Sequence, residues 1–213
     1  MSVRVGLVAS VALLGACATV PTRVVTGQSL ELSLPKLPLA GHPERQSKEV
    51  ALSSLRGKVV LVDVWASWCR PCARSLPFYE DLQHALGPKG FTFVGVDVDE
   101  DERAAQAFVQ DANLDDLLLL RDPGAKVVAP RFGLSRLPTE FFLDRAGHVR
   151  FVHEGFSEGD RAGFRQQLEA LLAETPNAPA TVRPTRGGAT RGVARARAVR
   201  SAAPERPPTA AAR

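Results

Sequence analysis

Cys69 and Cys72 stand two residues apart in the run Trp65-Ala66-Ser67-Trp68-Cys69-Arg70-Pro71-Cys72. They are the residues of this chain best placed to do chemistry. The run follows an apolar strand, Val59 to Val64, and opens a predicted helix. At such a junction the first thiol meets the unpaired N–H groups and positive end of the helix, which stabilise a thiolate. The second thiol, one turn along, is close enough to attack a mixed disulfide and release the partner. A C-x-x-C can also be half of a zinc site. Here there is no second C-x-x-C and no histidine pair at ligand spacing; His42, His84, His148 and His153 are scattered. Redox exchange is therefore the stronger reading, with no metal and no cofactor.

The third cysteine, Cys17, closes an N-terminal leader in which Arg4 precedes an apolar stretch from Val5 to Ala16. That stretch is too short to span a bilayer but suits a signal peptide. Leu14-Gly15-Ala16-Cys17 resembles the bacterial lipobox, which implies lipidation of Cys17 after removal of residues 1–16. A signal anchor, or a cleaved signal with a bystander cysteine, is the alternative. A lipidated Cys17 places the chain outside the cytoplasm, where a dithiol stays reduced only if electrons are supplied. Ala18 in place of an aspartate leans toward the outer membrane.

The chain has 213 residues, 45% of them hydrophobic, which is room for one well-cored domain with extensions. Its net charge of +4 is concentrated in the C-terminal segment, which has eight arginines against the single acid Glu205. The centre is mildly acidic. The expected organisation is a signal peptide at 1–16, a tether at 17–28, a domain at 29–175 and a disordered Arg/Ala/Pro-rich tail at 176–213. The tail is a solvated extension or a segment that binds anionic lipid or cell-wall polymer. Nucleic acid is not expected as a partner, and the chain is expected to be a monomer.

The elements that must position the cysteines follow from periodicity. Residues 29–34 alternate polar and apolar and read as a half-exposed strand ended by Pro35 and Pro38. Buried strands are predicted at about 59–65 and 91–96, with a short one over 117–120. Helices are predicted at about 71–86, kinked at Pro77, then at 102–112, 125–132 and 159–173. Strands at about 139–143 and 149–154 flank the hairpin loop 144–147. The order implies an α/β domain, a mixed central sheet flanked by helices. Asp97, Asp99 and Asp101 mimic the start of a calcium loop. The sixth place holds Glu102 instead of glycine and the twelfth Phe108 instead of glutamate, so the motif fails.

The run Leu55 to Cys72 and the segment Leu137-Pro138-Thr139-Glu140-Phe141-Phe142-Leu143-Asp144 resemble the TlpA/ResA-type branch of the thioredoxin superfamily. The resemblance covers residues from about 29 to 173. It implies a thioredoxin fold with an N-terminal strand extension and a central αβ insert carrying the 102–112 helix. It also implies a thiol–disulfide oxidoreductase that acts on protein substrates with disulfides or cysteines. An upstream membrane electron donor is implied too, with apocytochrome c maturation as one setting.

On this resemblance Cys69 is the nucleophile and Cys72 the resolving thiol. Pro138 is the cis-proline, leaving the Leu137 backbone free to pair with an extended substrate. Trp68, Arg70, Pro71 and Leu137 form the docking surface. Asp63 matches the buried aspartate of thioredoxin, suited to accept the proton that Cys72 must lose; a purely structural aspartate is the alternative. Glu100 matches an acid that the branch places near the thiols, and a solvated loop acid is its alternative. The spacer keeps proline where thioredoxin has it and lacks the histidine of strong oxidants, while Arg70 nudges the couple toward oxidising. The expected potential lies at roughly −180 to −270 mV, that of a reductant. A disulfide donor or isomerase, or a non-catalytic binding lipoprotein on the same scaffold, are the rival functions.

Overall fold

The structure is a computed structural model that describes residues 24, 26–39, 41, 48–114 and 116–175. The leader with Cys17, most of the tether, and the segment from 176 onward lie outside the described residues. Two short strands, β1 (Ser33–Pro35) and β2 (Glu49–Ala51), pair antiparallel. The main sheet holds β3 (Val59–Trp65), β4 (Phe91–Asp97), β5 (Leu118–Arg121), β6 (Thr139–Leu143) and β7 (Val149–Glu154). Their spatial order is β5-β4-β3-β6-β7. β3, β4 and β5 run parallel, while β6 and β7 are antiparallel additions. β3 and β4 are buried at every residue, as central strands covered on both faces must be.

The helices are α1 (Cys72–Leu86), α2 (Glu102–Asp111), α3 (Val128–Phe132) and α4 (Asp160–Ala173). On α1 the buried residues Cys72, Leu76, Tyr79, Leu82 and Leu86 recur at helical spacing, so one stripe of the helix seats the resolving cysteine in the core. Pro77 falls on an exposed position and the helix continues through it. On α4, Phe164, Leu168 and Leu171 are buried.

Two elements are shorter than periodicity suggests. Leu30, Leu32 and Leu34 are buried and Ser29, Glu31 and Ser33 exposed, as alternation requires. Only Ser33–Pro35 is strand, because its partner β2 offers just three residues. A bridge from Ser29 to His148 and another from Lys36 to Leu120 fasten the rest. The second of these, with Leu37 N–H donating to Leu119 O at 2.9 Å, covers the β5 edge of the sheet. Hydrogen bonds reach further back still, Gly27 N–H donating to Val149 O and Val149 N–H to Gln28 O. The helix expected over 125–132 begins only at Val128. Gly124 and Ala125 adopt left-handed backbone (φ +69° and +54°), and Asp122 accepts the N–H groups of Val127 and Val128.

Candidate active site

β3 delivers the chain at Trp65 into a tight loop that ends in α1. Cys69 N–H donates to Ala66 O at 3.0 Å, and Cys69 C=O accepts from Ala73 N–H at 3.1 Å. The first cysteine is thus already engaged in the opening turn of the helix. Pro71 precedes α1 with helical backbone angles and needs no N–H partner there. Cys69 and Cys72 are joined by a disulfide with their Cα atoms 5.2 Å apart. The backbone N–H of Cys72 points at Cys69 Sγ, 3.3 Å away. Once the bond is reduced, that N–H and the helix dipole favour negative charge on the Cys69 sulfur. Cys69 is 4% exposed and Cys72 is fully buried, so a partner molecule meets Cys69 first.

The residues just before Cys69 border a groove of about 640 Å³ whose lining includes Ser67, Trp68, Val98, Glu100, Leu134 and Leu137. Trp68, on the groove side of the thiols, is 69% exposed, a large apolar surface left in solvent. The Leu137–Pro138 bond is cis. Among the described residues no backbone hydrogen bond engages the N–H or C=O of Leu137, while Pro138 O accepts from Gly155 N–H at 2.7 Å. The structure therefore brings Trp68, Leu137 and Glu100 to one concave surface. Arg70, exposed, and Pro71 lie between the cysteines and, like Cys69, Cys72 and Pro138, do not line it.

Asp63 is not at this surface. It is fully buried in β3, and neither carboxylate oxygen has a hydrogen-bond partner. Burial drives its pKa well above the usual carboxylate range. Directly opposite, in the antiparallel register of β6, stands a second fully buried acid, Glu140. Its Oε1 accepts from Tyr79 Oη at 2.9 Å, and its Oε2 has no partner. Burial and the neighbouring Asp63 raise Glu140 to about 9.

Sequence reading misses three of these functional neighbours. Glu140 reads as one residue of a family motif, although an acid inside Thr139–Leu143, a wholly buried strand, is the signal that could have found it. Tyr79 reads as a core ring, and its hydroxyl goes unnoticed. Asp99 reads as part of a failed calcium loop; in the structure its carboxylate holds Ser67, two residues before Cys69. Among the described residues no group of three His, Cys, Asp or Glu side chains is arranged to hold a metal ion. No helix among them is long and apolar enough to cross a membrane.

Comparisons with known proteins bear on the family and the fold. Residues 35–168 match the Redoxin family model. The chain is 32% identical over 127 residues to thiol-disulfide oxidoreductase ResA of Bacillus anthracis, covering 60% of this chain and 69% of that protein. A Chlorobium tepidum structure, provisionally assigned as thiol:disulfide interchange protein DsbE, superposes with a TM-score of 0.62 at 30% identity over 70% of this chain and 99% of the other. Mycobacterium tuberculosis DsbF, in mixed oxidised and reduced forms, gives 0.56 at 26% identity, covering 67% and 96%.

Proposed function

The chain belongs to the redoxin family and is a thiol–disulfide oxidoreductase built on the Cys69–Cys72 pair, and from that premise we propose that it is a membrane-tethered, extracytoplasmic reductant of protein disulfides. The observation that carries the proposal is the asymmetry of the two sulfurs. Cys69 faces the solvent edge under the Cys72 N–H, and Cys72 is sealed in the core.

In the reduced protein the Cys69 thiolate attacks a substrate disulfide, giving a mixed disulfide and releasing one substrate thiolate. Cys72 then loses its proton, attacks Cys69 Sγ and expels the second substrate sulfur as a thiolate. Two electrons pass to the substrate and the Cys69–Cys72 disulfide forms. Asp63 is the acceptor for the Cys72 proton: it is a buried carboxyl with a raised pKa, on the strand that leads into the redox loop. The free backbone of Leu137 offers an edge to an extended substrate segment, with Trp68 on the same groove and the buried Pro138 holding the cis bond that follows Leu137. Glu100, exposed and lining the groove, is the acid proposed to act beside the bound segment.

The compartment and anchor rest on the leader sequence, with lipidated Cys17 as the tether and a membrane dithiol protein as electron donor. A cysteine-bearing polypeptide such as an apocytochrome c is the proposed client.

Equilibration against a thiol–disulfide buffer tests the direction of transfer. A potential at roughly −180 to −270 mV supports the reductant; a value near −120 mV makes the protein a disulfide donor instead.

A further inference from the structure

Asp63 and Glu140 face one another across β3 and β6 in a part of the core where, among the described residues, neither is paired with a cation. From β4 the residue in register with Asp63 is Gly95, which contributes no side chain. From β7 the residue opposite Glu140 is His153. Its ring nitrogen lies 2.8 Å from Gln167 Oε1, its ring packs on Phe142 and Phe164, and burial lowers its pKa, so it stays neutral. From α1 comes the neutral Tyr79 hydroxyl, and from α4 the negative Asp160, which raises Glu140 further. Three of the four carboxyl oxygens have no hydrogen-bond partner among the described residues. Two carboxylates in such a site cannot both ionise near neutral pH, because each disfavours the charge of the other and no solvent screens them.

We propose that Asp63 and Glu140 form one proton-holding unit, with Glu140 the positioning residue that sets how readily Asp63 takes up the proton leaving Cys72. The proposal rests on Asp63 as the proton acceptor and adds a second acid to it. Tyr79 lies two turns along the helix that Cys72 opens, so the pair sits beneath the element that carries the resolving thiol. As pH rises above neutrality the first carboxyl of the pair ionises, and the two then share one proton and one negative charge. When Cys72 attacks the mixed disulfide, its proton goes to the ionised carboxyl. The Cys72–Cys69 S–S bond forms, the Cys69–substrate S–S bond breaks, and the substrate sulfur leaves as a thiolate. The pair then holds two protons until one returns to solvent. Glu140 makes the unit a stronger base than a lone aspartate, because charge on either carboxyl is opposed by the other acid.

The experiment follows resolution of a preformed mixed disulfide by stopped flow at pH 8 in wild type, Glu140→Gln, Asp63→Asn and the double variant. Gln keeps an acceptor for Tyr79. Asp63→Asn is expected to slow resolution at least tenfold and Glu140→Gln at least threefold, with Glu140→Gln adding nothing in the Asp63→Asn background. An Asp63→Asn variant at the wild-type rate overturns the acceptor reading itself. A slow Asp63→Asn with Glu140→Gln at the wild-type rate, or with the same loss in both backgrounds, overturns the pairing alone. A carbon-13 titration of the side-chain carboxyls in the oxidised wild type requires no substitution. At least one of the two carboxyls is expected to be still protonated at pH 7.5, and finding both ionised at that pH overturns the shared proton.

Discussion

Asp99 holds Ser67 by both of its polar groups: one carboxylate oxygen accepts the Ser67 N–H at 2.7 Å and the other the Ser67 hydroxyl at 3.0 Å. Asp99 is itself fixed, its N–H donating to Asp97 Oδ1 at 3.0 Å and its carbonyl accepting from Arg121 at 2.8 Å. Arg121 also pairs with Asp97 at 3.1 Å and with Glu102 at 3.1 Å. A network from β5 and α2 thereby ends on the loop that presents Trp68 and Cys69. Replacing Asp99 with alanine removes two charge-assisted acceptors from a half-buried N–H and hydroxyl. The expected loss is about 1–3 kcal/mol in urea unfolding, with a fall in kcat/KM for disulfide reduction. Asp99→Asn retains one acceptor and recovers part of both.

Trp68 gives the opposite split. At 69% exposure it contributes little to the core, so Trp68→Ala is expected to leave stability within about 0.5 kcal/mol. Its effect falls on docking. Insulin reduction should show a raised KM, while the rate with a small disulfide such as hydroxyethyl disulfide should change little. A stability loss of 2 kcal/mol or more, on the order of a core truncation, would place the indole in the fold rather than at the docking surface.

Burial raises Asp63, and Glu140 to about 9, which fixes how stability varies with pH. A carboxyl whose folded-state pKa lies above its unfolded value contributes stability in full below the unfolded value, near pH 4. That contribution is lost as pH rises through the folded-state value. The oxidised protein is therefore expected to lose stability from about pH 5 to 9. Asp63→Asn should flatten the decline and stabilise the domain at pH 7 by about 1 kcal/mol or more, since one pKa unit is worth about 1.4 kcal/mol. Near pH 4 the gain should vanish. Denaturant unfolding at several pH values measures this; a flat wild-type profile would show the carboxyls to be solvated.

These effects also mark how far the sequence could be read. The redox pair, its helix, the buried strands β3, β4 and β6 and the half-buried β7 were legible, because each signal is local: a fixed cysteine spacing, an apolar run, a helical stripe such as Leu76–Tyr79–Leu82. Alternation in residues 29–34 gave the buried leucines correctly but not the strand length, which depends on how many residues the partner β2 supplies. Asp63 stood out as an acid in an apolar strand. Its partner did not, because the pairing of Asp63 with Glu140 is a matter of register between strands 77 positions apart in the chain. Asp99 was missed for the same reason: its ligand Ser67 is 32 residues away.

The division of labour between the two sulfurs is open to direct test by covalent trapping. Reduced Cys72→Ser, mixed with insulin and quenched in acid, should accumulate a mixed disulfide at Cys69 that mass spectrometry resolves. Cys69→Ser under the same conditions should yield no adduct, because Cys72 is fully buried. An adduct on Cys72 in the Cys69→Ser variant, or equal behaviour of the two variants, would contradict the assignment of Cys69 as nucleophile and Cys72 as resolving thiol.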